Sequence, residues 1–136
     1  MTVVDPRDAL VVVDDTEPSC DWIDVADVGD VIEDRGVAVL VAGRPVAVFR
    51  LRTVADGSEL WVAVDHVDPL TGSPVIARGL VGSLVDGTPT VASPIHKQRY
   101  DLLTGRGIDD DSALSIYAVR RTHDRVLVGV PRAASS

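Results

Sequence analysis

The chain carries a single cysteine, Cys20, so folding cannot rely on an internal disulfide, and no centre that needs two thiolates can be assembled from it. Positive charge is also scarce. Thirteen Lys and Arg stand against 21 Asp and Glu, giving a net charge of -8 and a pI near 4.6. That balance argues against a DNA or RNA partner, because affinity for a phosphate backbone rests on Lys and Arg displacing counterions. Long apolar runs are missing as well: residues 37–42 form one of the longest, far below the roughly 20 residues that span a bilayer. Neither nucleic acid nor membrane is expected as a partner. The first 20 residues hold acidic side chains where a secretory signal needs basic ones, and their apolar run at 10–13 is too short for a signal core. A cytoplasmic location is expected, where Cys20 stays a reduced thiol.

What is present is ample for folding. With 136 residues, 46% hydrophobic and 25% charged, rich in Val and Ala and only 4% aromatic, the chain has one domain's worth of core and buries roughly two thirds of its unfolded surface. No sustained helical period is found. Short apolar runs alternate with turn residues at the spacing of an all-β sandwich or barrel.

Residues 1–21 read as an N-terminal extension with at most one edge strand, 22–130 as the domain, and 131–136 as a frayed tail. Runs 36–42 and 46–51 predict a hairpin turning at Gly43, Arg44 and Pro45. Residues 60–64 predict a third strand leading into a first loop. The segments 75–77 and 79–85 suggest an irregular strand closed by Asp86-Gly87, and 90–92 runs into a second loop. Residues 97–102 alternate enough to be a strand, and 114–120 is expected to pair with 126–130. The run Asp109, Asp110, Asp111 lacks the interleaved Gly and distant Glu of a calcium loop, and reads as a solvated connection.

The two loops carry the chemistry of interest. Residues 63–72 read AVDHVDPLTG and residues 92–105 read ASPIHKQRYDLLTG. Their layout resembles the paired ligand loops of a Rieske iron-sulfur domain, in which two thiolates hold one iron and two imidazoles the other. The usual Cys-Pro-His of the first loop here reads Asp68, Pro69, Leu70, and the usual Cys-Pro-x-His of the second reads Ser93, Pro94, Ile95, His96. Of the ligand types only His96 survives. The blocks PVAVFR (45–50), VDPLTG (67–72), SPVIARGLVG (73–82) and ASPIHKQRYDL (92–102) together resemble the small subunit of the NAD(P)H-dependent assimilatory nitrite reductase, a family whose Rieske-like domain lacks cluster ligands. The resemblance implies an all-β, Rieske-like fold without a cluster. It also implies a cytoplasmic enzyme that reduces nitrite to ammonia, whose large subunit carries flavin, a four-iron cluster and sirohaem. No catalytic, cofactor-binding or metal-binding residue is assigned to this chain, and its expected role is to bind and support the large subunit. A Rieske-type ferredoxin is contradicted by Asp68, Leu70 and Ser93. The alternative is an independent Rieske-like binding or regulatory module with no redox role.

Individual residues follow from this. His96 is a loop or interface histidine in the simplest reading. A two-histidine, one-carboxylate iron site from His66, Asp68 and His96 is the sharper reading, weakened by the expectation that His66 turns away from Asp68. Lys97, Gln98 and Arg99 form the one concentrated basic spot of the chain, and with His96 and Arg78 they are the candidates for docking an acidic partner surface. Arg78 could otherwise pair with Asp68 or Asp101. Pro69, Pro94, Gly72 and Gly105 shape the loops, and Trp22, Trp61, Tyr100 and Tyr117 read as core or sheet-face aromatics.

Overall fold

A computed structural model describes residues 20–53 and 56–131. Most of the expected extension and the end of the expected tail lie outside the described residues. The described strands are β1 Cys20–Asp27, β2 Arg35–Val41, β3 Arg44–Arg52, β4 Glu59–Asp65, β5 Leu80–Ser83, β6 Pro89–Ala92, β7 Arg99–Asp101, β8 Ile116–Thr122 and β9 Arg125–Pro131. They form a six-stranded antiparallel sheet in the order β1-β9-β8-β4-β3-β2 and a three-stranded sheet in the order β5-β6-β7. The fold is all-β, as the spacing of the apolar runs predicts.

Strands β3 and β4 are nearly continuous apolar runs because both of their faces are covered. Val46 and Val48 of β3, with Trp61 and Ala63 of β4, join Val119, Val126 and Val128 in one core. The alternate residues Ala47, Phe49, Leu51, Leu60, Val62 and Val64 point the other way and pack with Ile76, Val91, Tyr100 and Leu102. Each fully buried Val, Leu or Phe stabilises by roughly 1.5–3 kcal/mol, so this central pair anchors the domain. Glu59 takes Arg50 at 3.0 Å and Arg121 at 2.5 Å, tying β3, β4 and β8 together at the edge of the core.

The 3-10 turn Ile76–Arg78 closes against β2. Gly36 permits this, since a Cβ there would stand 2.7 Å from the Ala77 carbonyl oxygen. Sequence reading places residues 75–77 in an irregular strand; the His66 carbonyl instead accepts the Val75 and Ile76 N–H groups, both at 3.0 Å, and curls the chain. The expected strand at 79–85 shortens to β5, and the expected strand at 97–102 begins only at Arg99 because Lys97 has φ 62°. Strand β1 begins at Cys20, two residues before Trp22, and pairs with β9 through Pro131.

The β2–β3 hairpin turns through Ala42 and Gly43, with φ of 50° and 81°. Two left-handed residues are what a two-residue type I′ hairpin requires, and Ala pays a Cβ penalty there that Asn largely avoids. Ala42→Asn is expected to raise stability by about 0.5–1 kcal/mol, read as a higher urea midpoint with an unchanged slope. A midpoint at or below wild type would contradict the strain at Ala42.

Candidate functional site

The first loop is set by what happens when β4 ends at Asp65. His66 donates its backbone N–H to the Pro45 carbonyl at 3.1 Å, holding the strand end to β3. Its Nδ1 accepts the Ala77 N–H at 3.0 Å, so the ring locks the 3-10 turn in place. Burial first, and then the charge of Arg78, hold the imidazole below its ordinary pKa, which keeps Nδ1 free to accept. Beyond it, Val67 bridges Pro74 and the Asp68 N–H donates to the Ser73 carbonyl at 2.8 Å. Asp68 Oδ1 accepts the Leu70 N–H at 2.8 Å. Gly72, at φ 76°, returns its N–H to the Asp68 carbonyl at 2.7 Å. An Asp followed by Pro and closed by Gly is a turn with a local acceptor built in.

The second loop is closed in the same manner. Ser93 donates its N–H to the Gln98 carbonyl and accepts the Lys97 N–H on its own carbonyl, both at 2.9 Å. The Ser93 hydroxyl accepts the Ile95 N–H at 3.3 Å and donates to Asp68 Oδ2 at 2.5 Å. Gln98 Nε2 then donates one hydrogen to Asp68 Oδ1 at 3.0 Å and the other to the Tyr100 hydroxyl at 3.1 Å. Because Ser112 donates its one hydroxyl hydrogen to Asp110 Oδ1 at 2.5 Å, its Oγ accepts the Tyr100 hydroxyl hydrogen at 2.9 Å. The result is a chain of hydrogen bonds that links two carboxylates, with Gln98 Nε2 donating toward both. Asp68 is fully buried. Burial pushes its carboxyl up, but the bonds from Ser93, Leu70, Gln98 and Thr71 together outweigh this and leave it below the usual carboxylate range.

The candidate residues divide into those inside this network and those outside it. Asp68 and Ser93, standing at the two thiolate positions, are brought into direct contact. Leu70 and His96, at the imidazole positions, are exposed. Gln98 is a correction: it is only 6% exposed and serves inside the domain, so it is no part of a docking surface. Arg99 is exposed but engages Asp109 through its backbone N–H and its guanidinium, at 2.9 to 3.2 Å. Asp109 and Asp110 thus have defined partners, and the acidic run is more than a solvated connection. Arg78 and Lys97 are exposed and form no ion pair among the described residues, so Arg78 does not bond Asp68 or Asp101 there. β4 ends at Asp65, before His66, which is buried with its Nδ1 taken by the Ala77 N–H. Among the described residues no three His, Cys, Asp or Glu converge as a metal site.

The donor set does not fit a Rieske cluster. A carboxylate and a hydroxyl already bonded to each other replace the two thiolates, and the apolar Leu70 replaces one imidazole. Sequence reading missed Gln98, Ser112 and Asp110 as parts of one network. A signal was available: Gln98 and Tyr100 are two residues apart on one strand path, so a core Tyr100 brings Gln98 to the same face.

The geometry defines a Rieske-like domain, and comparison agrees: the profile of the Rieske-like [2Fe-2S] domain family matches residues 21–129, so the chain belongs to that family. Within it, the chain is 32% identical over 109 residues to the nitrite reductase (NADH) small subunit of Escherichia coli K12, covering 80% of this chain and 93% of that protein. It belongs to the family of nitrite reductase small subunits. A structure from Mycobacterium tuberculosis, assigned as an NADH-dependent nitrite reductase small subunit, superposes with a TM-score of 0.74 at 37% identity, over 84% of this chain and 98% of that one. The nitrite reductase NAD(P)H large subunit of Klebsiella oxytoca matches at 31% identity over 82% of this chain but only 11% of its own length.

Two predictions test the site. Ser93→Ala leaves a buried carboxylate oxygen without its donor and is expected to cost about 1–3 kcal/mol. In a double-mutant cycle with Asp68→Asn the two costs should be strongly non-additive, whereas simple additivity in urea unfolding would show that the two side chains act independently. The second concerns His66. Its folded pKa lies below its unfolded value, so its contribution is complete above the ordinary imidazole pKa of about 6.5 and is lost as pH falls through the folded value. Wild-type stability should therefore fall as pH drops below about 6.5, and His66→Asn, which keeps an acceptor without titrating, should flatten that fall. Equal slopes would remove His66 as the source.

Proposed function

We propose that this chain is the small, non-redox subunit of a cytoplasmic NAD(P)H-dependent nitrite reductase, binding and supporting the large subunit that reduces nitrite to ammonia. The observation that carries this reading is the similarity to the Escherichia coli small subunit along 93% of that protein's length. The Klebsiella oxytoca large subunit supports the partnership, because a segment like this chain is covalently part of it. The six electrons of the reaction pass through flavin, a four-iron cluster and sirohaem in the large subunit; this chain supplies none of those centres. Its own cluster positions, Asp68 and Ser93, are spent on each other. The enzyme activity thus belongs to the complex, and this subunit contributes a surface. Arg78, His96, Lys97 and Arg99 are the outward-facing basic candidates for that surface, with Arg99 already partnered by Asp109. No helix among the described residues is long and apolar enough to cross a membrane. The second reading, an independent binding or regulatory module, draws no support from the named relatives.

The test is to assay nitrite-dependent NAD(P)H oxidation by the large subunit with and without this chain. Added chain should raise the rate or lengthen the half-life of activity, and the added protein should itself be colourless. Identical rate and half-life in both arms would refute the subunit role.

A further inference from the structure

We propose that the small subunit docks on the large subunit through the paired tips of its two loops, with Leu70 and Ile95 as apolar anchors and a polar rim of His96 and the cationic Lys97. This rests on the subunit role proposed above and names the surface that performs it. Both anchors occupy matching places: Leu70 stands two residues beyond Asp68, and Ile95 two residues beyond Ser93. The Ser93–Asp68 hydrogen bond holds those reference points together, so both side chains emerge at the same end of the domain. They are 50% and 43% exposed, and what sets them apart from the other exposed apolar side chains of the domain is their paired placement at the two loop tips. Pro69 and Pro94 stiffen the two tips, and Lys97 projects from a left-handed residue at φ 62°.

The charge pattern states the chemistry of the occupant. On a chain of net charge -8, His96 and Lys97 sit together at this end and form no ion pair among the described residues. Arg99, by contrast, is satisfied within the domain by Asp109. The surface that fits is an apolar depression bordered by Asp and Glu on the large subunit, in which buried anchors give affinity and the rim guides approach. Large apolar side chains are exposed at other places too, Leu80 opposite Ala92 among them. Val85, for example, follows β5 at the end of the β5–β6 hairpin remote from the second loop.

The experiment measures association of purified small subunit with the purified large subunit by surface plasmon resonance at two salt concentrations. Leu70→Asp and Ile95→Asp should each weaken binding by about 30-fold or more, while Val85→Asp, an identical change at the far end, should bind as wild type. His96→Glu with Lys97→Glu should slow association and flatten its salt dependence. Near-ultraviolet circular dichroism checks that each variant keeps the wild-type fold, and Ile95→Ser substitutes for any aspartate variant that does not. Wild-type affinity in the folded tip variants overturns this surface while leaving the subunit role intact. Absence of binding by the wild-type chain overturns both. If the tip variants instead lose only a concentration-dependent self-association seen by light scattering, the face belongs to a second copy of this chain and the proposal fails.

Discussion

The hydrogen bond from the Ser93 hydroxyl to the Asp68 carboxylate joins two loops separated by 25 residues, and most of what is distinctive about this domain depends on it. A fully buried carboxylate is costly unless donors surround it. Asp68 meets that demand with Ser93, Gln98 and the Leu70 N–H, which come from both loops. Neither loop can therefore adopt its shape without the other. A metal cluster would have imposed the same closeness by bonding through sulfur. Here a charge-assisted hydrogen bond between Ser93 and Asp68 does so.

The bond holds its position because the sheet beneath fixes where each loop departs. Burial on both faces of β3 and β4 leaves the end of β4 little freedom, and His66 carries that order outward. Its backbone and ring together contact the Pro45 carbonyl, the Val75 and Ile76 amides and the Ala77 amide. On the other side, β6 and β7 deliver Ser93 and Gln98 as the two ends of one closed turn, with Ser93 N–H bonded to the Gln98 carbonyl at 2.9 Å. Tyr100 extends the network down to Ser112 and Asp110. The segment 109–112 is thereby tied to the same site, although it belongs to neither loop.

Much of this was legible in the sequence. The Val-rich alternating runs gave the all-β class, because strand periodicity is carried by residues that have to be buried on one or both faces. The loop punctuation around Asp68 and Ser93 located the site, because Pro and Gly mark turns through their own backbone preferences. What sequence reading missed were facts of tertiary partnership. The 3-10 turn at Ile76–Arg78 forms because the His66 carbonyl is available to accept two amides, which no local pattern announces. Gln98 was grouped with Lys97 and Arg99 by polarity, yet strand geometry and the unmet need of Asp68 draw it inside. Arg99 looked free because Asp109, ten residues on, was read as facing solvent.

An interior network of this kind has a further consequence for association. Apolar residues of similar volume could fill the same space at comparable stability, so a buried polar network, here with Gln98 Oε1 left without a partner, is better understood as fixing one arrangement than as adding strength. The arrangement it fixes is that of the loop tips. Free loops lose conformational entropy when they bind, and side-chain ordering alone costs about 0.5–1.5 kcal/mol for each immobilised residue. Loops whose backbones are already closed by Ser73, Gly72, Lys97 and Gln98 bonds lose little further backbone freedom on binding, so mainly the side-chain part of that cost is left. Loss of the sulfur ligands therefore need not weaken the Rieske scaffold as a recognition surface. With Asp68 and Ser93 turned toward each other, the side chains left facing outward at the tips include Leu70, Ile95, His96 and Lys97, and they are presented by a frame whose loop backbones are already hydrogen-bonded.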